Sequence, residues 1–327
     1  MQLIKSYWWV LLLMVIVIVA AVTFIPGDFR DDKDISQVKK GFEWIIPDSN
    51  RLGSTPEDEL VRYGKDLVAN TAVYLGPKGK VAAISNGMNC QNCHLDAGTR
   101  SLGNNYSAVF STYPKFRARS GTVETIYKRV NDCIERSLNG TALDSNSHEM
   151  QAFYAYIKWL GKNVPKNVKP DGAGIADIPF MDRAADSTTG KSVYQQNCQR
   201  CHGTDGQGTF NFDSTAYQYP PLWGKNSYTT GAGLYRISRL AGYIRYNMPF
   251  DLDARKDEVH ELTDAEAWDV AAFIVSQPRP EKKYATDWPD IRLKPFDHPY
   301  GPYADSFSEV QHKFGPFDPI PKAKKTK

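Results

Sequence analysis

The stretch Cys90-Gln91-Asn92-Cys93-His94 sets two thiols three positions apart and follows them at once with an imidazole. This is the pattern of a c-type haem attachment site. The thiols bond to the two vinyl groups of a haem, and the His ligates the iron as proximal ligand. The pattern returns as Cys198-Gln199-Arg200-Cys201-His202 in a chain with only five cysteines. A thioredoxin-like Cys-x-x-Cys, a disulfide and a zinc site are the alternatives. The first needs no following His and calls for a βαβ setting, of which the sequence gives no sign. Zinc would leave the His after each pair a coincidence. The expected cofactors are therefore two covalently bound haem c groups, attached through Cys90, Cys93, Cys198 and Cys201, with His94 and His202 on the irons.

Around these motifs, 327 residues allow about two ordinary domains, and 41% hydrophobic content is enough for real cores. A formal charge of +3 is close to balance, so no polyanionic partner such as nucleic acid is expected. Residues Tyr7 to Ile25 are an uncharged run of about 19, long enough to span a bilayer. Lys5 precedes it, Trp8 and Trp9 suit the interface, and Pro26-Gly27 breaks it. The run is longer than a usual signal-peptide core, so residues 1–27 read as an uncleaved anchor, with a cleaved signal segment as the alternative; either gives export. That orientation holds the remainder at the periplasmic side of a bacterial inner membrane, where covalent haem attachment takes place.

Residues 28–53 read as a tether. Ser54 to Glu59 then open a helix, with a hydroxyl cap, Pro56 in the first turn and acids facing the positive end of the dipole. Further helices are expected over 122–138 and 147–160, the latter with Met150, Phe153, Tyr154, Ile157 and Leu160 on one face. The order resembles a class I cytochrome c domain, here 54–164. A Pro-, Gly- and Asp-rich linker, 165–187, precedes a second domain, 188–280. In it Pro220-Pro221-Leu222 resembles the segment whose carbonyl holds the proximal imidazole. A middle helix is expected over 233–246 and a last one from Thr263, boxed by Glu266. Residues 281–327 read as a wrapping tail without much helix. The expected fold is mainly α: two tandem class I cytochrome c domains, each with one covalent haem, preceded by a transmembrane helix.

Met248 lies 46 residues after His202, just past a helix and before Pro249, as a distal ligand would; His260 is the alternative. The first domain has no matching Met. It has Cys133, 39 residues after His94. An isolated Cys is ordinarily a small buried hydrophobe. On a helix, however, Arg129, Cys133, Arg136 and Ser137 share one face, and cationic neighbours favour the thiolate, which is both ligand and nucleophile.

With these features the chain resembles the dihaem thiosulfate dehydrogenases. The matching residues are Arg119-Ser120-Gly121, the stretch from Arg129 to Gly140, both haem motifs, Asn247-Met248-Pro249 and Tyr300-Gly301-Pro302-Tyr303-Ala304-Asp305. Some members carry Lys where Asn247 stands, which leaves Met248 as ligand here. The resemblance implies oxidation of two thiosulfates to tetrathionate, reversible in principle. Electrons would pass from haem 1 to haem 2 and on to an external acceptor such as a small cytochrome. It implies Cys133 beside the first iron as ligand and reaction centre, and Arg119, Arg129 and Ser137 at the substrate. Arg136 is a third available cation, since two dianions at ~4 Å repel by roughly 4 kcal/mol even in water. Cys133 is expected to leave the iron in turnover and to carry the first thiosulfate as a sulfur adduct. The alternative is a non-catalytic dihaem electron carrier, for which the arginines around Cys133 have no use.

Overall fold

The computed structural model describes residues 41–250 and 261–325. The apolar run 7–25, the first half of the expected tether and His260 lie outside them. Residues from Phe42 onward form one compact unit. Among the described residues no helix is long and apolar enough to cross a membrane.

The first half is built on α1, Pro56–Ala69, and α3, His148–Gly161, which pack on each other. Thr55 caps α1: its hydroxyl accepts from the Asp58 N–H, and Asp58 answers the cap's own N–H. Gly64 is where the two helices touch; a Cβ there would lie 2.0 Å from the Ala152 carbonyl oxygen. Leu67, Val68, Phe153, Tyr156 and Leu160 are buried between them. Between these helices come an antiparallel hairpin, β1 (Lys115–Arg117) with β2 (Thr122–Glu124), and α2, Ile126–Arg136.

The helix expected over 122–138 is thus a strand followed by a shorter helix. Thr122 and Val123 are β-branched and pair with Arg117 and Phe116. The Thr125 hydroxyl accepts from the Lys128 N–H and so starts α2 after the strand.

The second half repeats the plan with α4 (Ser187–Asn197), a hairpin of β3 (Thr209–Phe210) and β4 (Tyr217–Tyr219), α5 (Ile237–Asn247) and α6 (Asp264–Ser276). α6 packs on both α4 and α5, and its Thr263–Glu266 capping box is formed on both sides. The expected middle helix 233–246 is a 3-10 turn, Gly233–Tyr235, then α5. Arg236 between them is extended. Asp297 of the tail, fully buried, accepts from the Ser238 N–H at 3.1 Å and pairs with Arg236, so the tail caps α5. The tail also carries two short helices, α7 (Glu309–Phe314) and α8 (Pro319–Lys325). Phe317 and Ile320 lock it into the second core.

Candidate functional site

The end of α1 holds the first haem motif. Thr71 Oγ1 accepts from the Cys90 N–H at 2.9 Å, and Asn89 Oδ1 accepts from the Ala72 N–H at 2.8 Å. His94 Nδ1 lies 2.6 Å from the Asn104 carbonyl. A carbonyl only accepts, so Nδ1 carries the proton and Nε2 is left as the metal-binding nitrogen. In the second half, His202 Nδ1 lies 2.8 Å from the Pro220 carbonyl, where the Pro-Pro-Leu segment predicts it. Burial pushes His94 down to about 4 and lowers His202, so both rings are neutral. Tyr106 packs against the His94 ring at 4.6 Å between centroids.

Two cavities carry these groups. The first is lined by Cys90, Cys93, His94, Tyr106, Arg129, Cys133 and Ser137. The second is lined by Cys198, Cys201, His202 and Met248, with Tyr228, Leu240, Ile244 and Ile274. Asn89 and Cys93 line both, so the cavities are neighbours. No disulfide joins any two of the five cysteines. Burial pushes Cys90, Cys93 and Cys198 up to about 12. Among the described residues no group of three or more His, Cys, Asp or Glu can hold a metal ion. Paired thiols, a neutral oriented imidazole and an apolar slot are what a covalent haem needs, and the residues fit it.

Met248 follows directly on α5. Its neighbour Asn247 is buried, with its amide donating to the Leu102 and Tyr243 carbonyls at 3.2 and 3.0 Å.

In the first cavity the expected face of α2 is assembled in part. Arg129, Cys133 and Ser137 line it together; Arg136 and Arg119 are not among its lining residues. Cys133 holds the Arg129 guanidinium well above the usual arginine range, against the opposing effect of burial. No carboxylate among the described residues pairs with Arg129 or Arg119. Arg119 stands at the tip of the β1–β2 hairpin; burial, then Arg136 and Arg129, push it down to about 10, so it is still charged at neutral pH.

Arg136 corrects the sequence reading. Its side chain is 7% exposed and forks onto both oxygens of Asp287 at 2.7 Å. Asp132 lies 3.7 Å from its Nε, and Tyr284 stacks at 3.9 Å. Its charge is answered inside the protein. Nothing in the sequence announces Asn104 or Asp287; for Trp288 the aromatic richness of the tail is the one signal.

Comparison with known proteins follows the same division. A family described as SoxA/TsdA, cytochrome c domain, matches residues 80–165, and the Cytochrome c family matches 187–278. The chain is 38% identical over 201 residues to thiosulfate dehydrogenase of Allochromatium vinosum, covering 60% of this chain and 72% of that protein. It is 36% identical over 251 residues to thiosulfate dehydrogenase of Psychrobacter arcticus, covering 75% and 71%. The solved structure of thiosulfate dehydrogenase (TsdBA) from Marichromatium purpuratum, as isolated, superposes with a TM-score of 0.66 at 31% identity. That match covers 73% of this chain and 50% of the other, so this chain spans half its length. Two cytochrome c domains, mainly helical, carry two covalently bound haem c groups.

Proposed function

We propose for this chain, which belongs to the thiosulfate dehydrogenase family of dihaem c-type cytochromes, the oxidation of two thiosulfates to tetrathionate. The observation that carries this reading is Cys133 in one cavity with His94, Arg129 and Ser137. A cytochrome that only relays electrons has no use for an unpaired guanidinium and a free thiol there. When bound, the haems supply the one-electron acceptors, and the neighbouring cavities suit passage from the first to the second and out to an external acceptor such as a small cytochrome.

The protein's part is binding and sulfur chemistry. Arg129 and Arg119 attract the dianion, and their forks match its sulfonate oxygens. Ser137 adds a hydroxyl donor. The Cys133 thiolate forms an S–S bond with the terminal sulfur of the first thiosulfate, and the two electrons lost would pass to the one-electron acceptors that the bound haems supply. The second thiosulfate attacks that sulfur, tetrathionate departs and the Cys133 thiolate returns. Each step balances, and the reverse sequence reduces tetrathionate.

Residues 7–25 anchor the protein at the outer face of the inner membrane in this reading. Fractionation with N-terminal sequencing tests it, and a soluble protein starting near Pro26 would defeat it.

Thiosulfate with ferricyanide on the purified protein tests the activity. Cys133→Gly should retain both haems, lose the near-infrared thiolate signature of the first, and lose nearly all turnover. Unchanged spectra would make Cys133 a bystander. A shifted potential with full activity would favour the electron carrier.

A further inference from the structure

Arg119 is held by the tail. The Trp288 N–H donates to the Arg119 carbonyl at 2.6 Å, and the Arg119 guanidinium carbon lies 5.8 Å from the centroid of the Trp288 ring. The ring is itself fixed. Trp288 Nε1 donates to His298 Nε2 at 3.0 Å, and His298 Nδ1 donates to the Tyr300 carbonyl at 3.0 Å. Trp288 is buried and has φ +61°, a left-handed conformation that a bulky residue adopts only when its surroundings over-determine it. The next residue closes the junction: a Cβ on Gly121, at φ +66°, would lie 2.5 Å from Pro289 Cγ.

The same few tail residues treat two arginines oppositely. Asp287 closes the Arg136 fork at 2.7 Å. Trp288 offers Arg119 an aromatic ring in place of a carboxylate. A ring face attracts a guanidinium through its quadrupole but neither cancels its charge nor occupies its in-plane N–H donors. A carboxylate there would do both.

We propose that Trp288 is a positioning residue for substrate binding: it fixes the Arg119 guanidinium with its fork open and thereby sets the affinity for thiosulfate. This rests on the reading that Arg119 binds substrate. Trp288 acts through Arg119 and touches no reacting atom, so its effect belongs in anion binding and not in the sulfur chemistry.

A double-mutant cycle on the holoprotein tests it, using Trp288→Leu, Arg119→Ala and their combination. The readouts are kcat and KM for thiosulfate, the inhibition constant of sulfate as an unreactive dianion, and the near-infrared signature of the first haem. Trp288→Leu should raise KM and the sulfate constant by about five-fold, with kcat and the haem signature near the parent's. Trp288→Phe keeps a ring and should recover most of that loss. In the Arg119→Ala background Trp288→Leu should change neither constant. A parent-like KM in Trp288→Leu, or the same fold-loss with and without Arg119, overturns the proposal, because a packing role predicts the second result. Should Trp288→Leu fail to hold its haems, Gly121→Ala disturbs the junction from the hairpin side. It should raise KM only when Arg119 is present, and a parent-like KM in it overturns the proposal. If Arg119→Ala alone leaves both constants unchanged, the substrate role of Arg119 fails, and the proposal fails with it.

Discussion

Asp287→Asn removes one charge from a buried pair and leaves its partner in place. The Arg136 side chain is 7% exposed and that of Asp287 11%, and two bonds of 2.7 Å join them. Breaking such a pair from one side strands a desolvated charge, at a cost of about 3–5 kcal/mol. Two features lower the figure. Asp132 stays 3.7 Å from the guanidinium, and the Tyr284 ring stays 3.9 Å beneath it. Asn also keeps an acceptor. The expected loss is therefore near the low end, about 3 kcal/mol. Urea unfolding of the holoprotein, followed in the first haem's absorbance, measures it. Arg136→Met combined with Asp287→Leu should be far milder than Asp287→Asn, since no charge is then left buried. A loss below about 1 kcal/mol, the range of an exposed pair, would refute the assignment of Arg136 to structure.

Three further outcomes are expected. Arg129→Ala should keep both haem spectra and weaken thiosulfate use, with the deficit growing at low ionic strength, where charge is least screened; a deficit independent of salt would remove the electrostatic role. Met248→Gly should lower the second haem's potential and leave the first haem's spectrum as it was; parent-like potentials would move the assignment to His260. His298 is pushed down to about 3 by burial, then by Lys294, from an ordinary 6.5. Unfolded chains therefore bind the proton first, so its contribution is full above about pH 6.5 and is lost as pH falls toward 3, at up to about 1.4 kcal/mol per unit. His298→Gln should have a flatter acid limb in its stability profile than the parent; parallel limbs would contradict the assignment.

What the sequence disclosed was local chemistry. The caps at Thr55 and Thr263 were legible because both partners lie within one turn. The haem motifs were legible because attachment chemistry dictates the spacing. The Pro220 carbonyl was announced by its prolines. The Asn104 carbonyl was not, because it reaches His94 through a loop in which Asp96, Ala97 and Leu102 are left-handed. The β1–β2 hairpin was missed because pairing with Lys115–Arg117 overrides a helical reading of Thr122 to Glu124. Arg136 reads as an available cation from the sequence because its partner Asp287 lies 151 residues away. A helix face gives the directions of its side chains, but it cannot tell which charges the rest of the chain has already answered.

The division of the three arginines has a consequence for the reaction. Two thiosulfates meeting at ~4 Å have a charge product of four and repel by roughly 4 kcal/mol in water. In the proposed reaction, capture of the first on Cys133 would leave a single sulfonate charge, so the second would meet a product of two, and the repulsion would fall to roughly 2 kcal/mol. In that reading Arg119 and Arg129, with which no carboxylate among the described residues pairs, would supply two charges, equal to the dianion that must finally leave. A third free guanidinium would help the second thiosulfate in, but would also retain tetrathionate. In that reading Asp287, by closing Arg136, would prevent this. Asp287→Asn, in the fraction that stays folded, should therefore show stronger inhibition of thiosulfate oxidation by tetrathionate, and the excess should shrink with added salt. Combining it with Arg136→Met should return the inhibition constant toward the parent's. If tetrathionate inhibits Asp287→Asn no better than the parent at low ionic strength, the closed Arg136 pair has no part in product release, and its role is confined to holding the tail on α2.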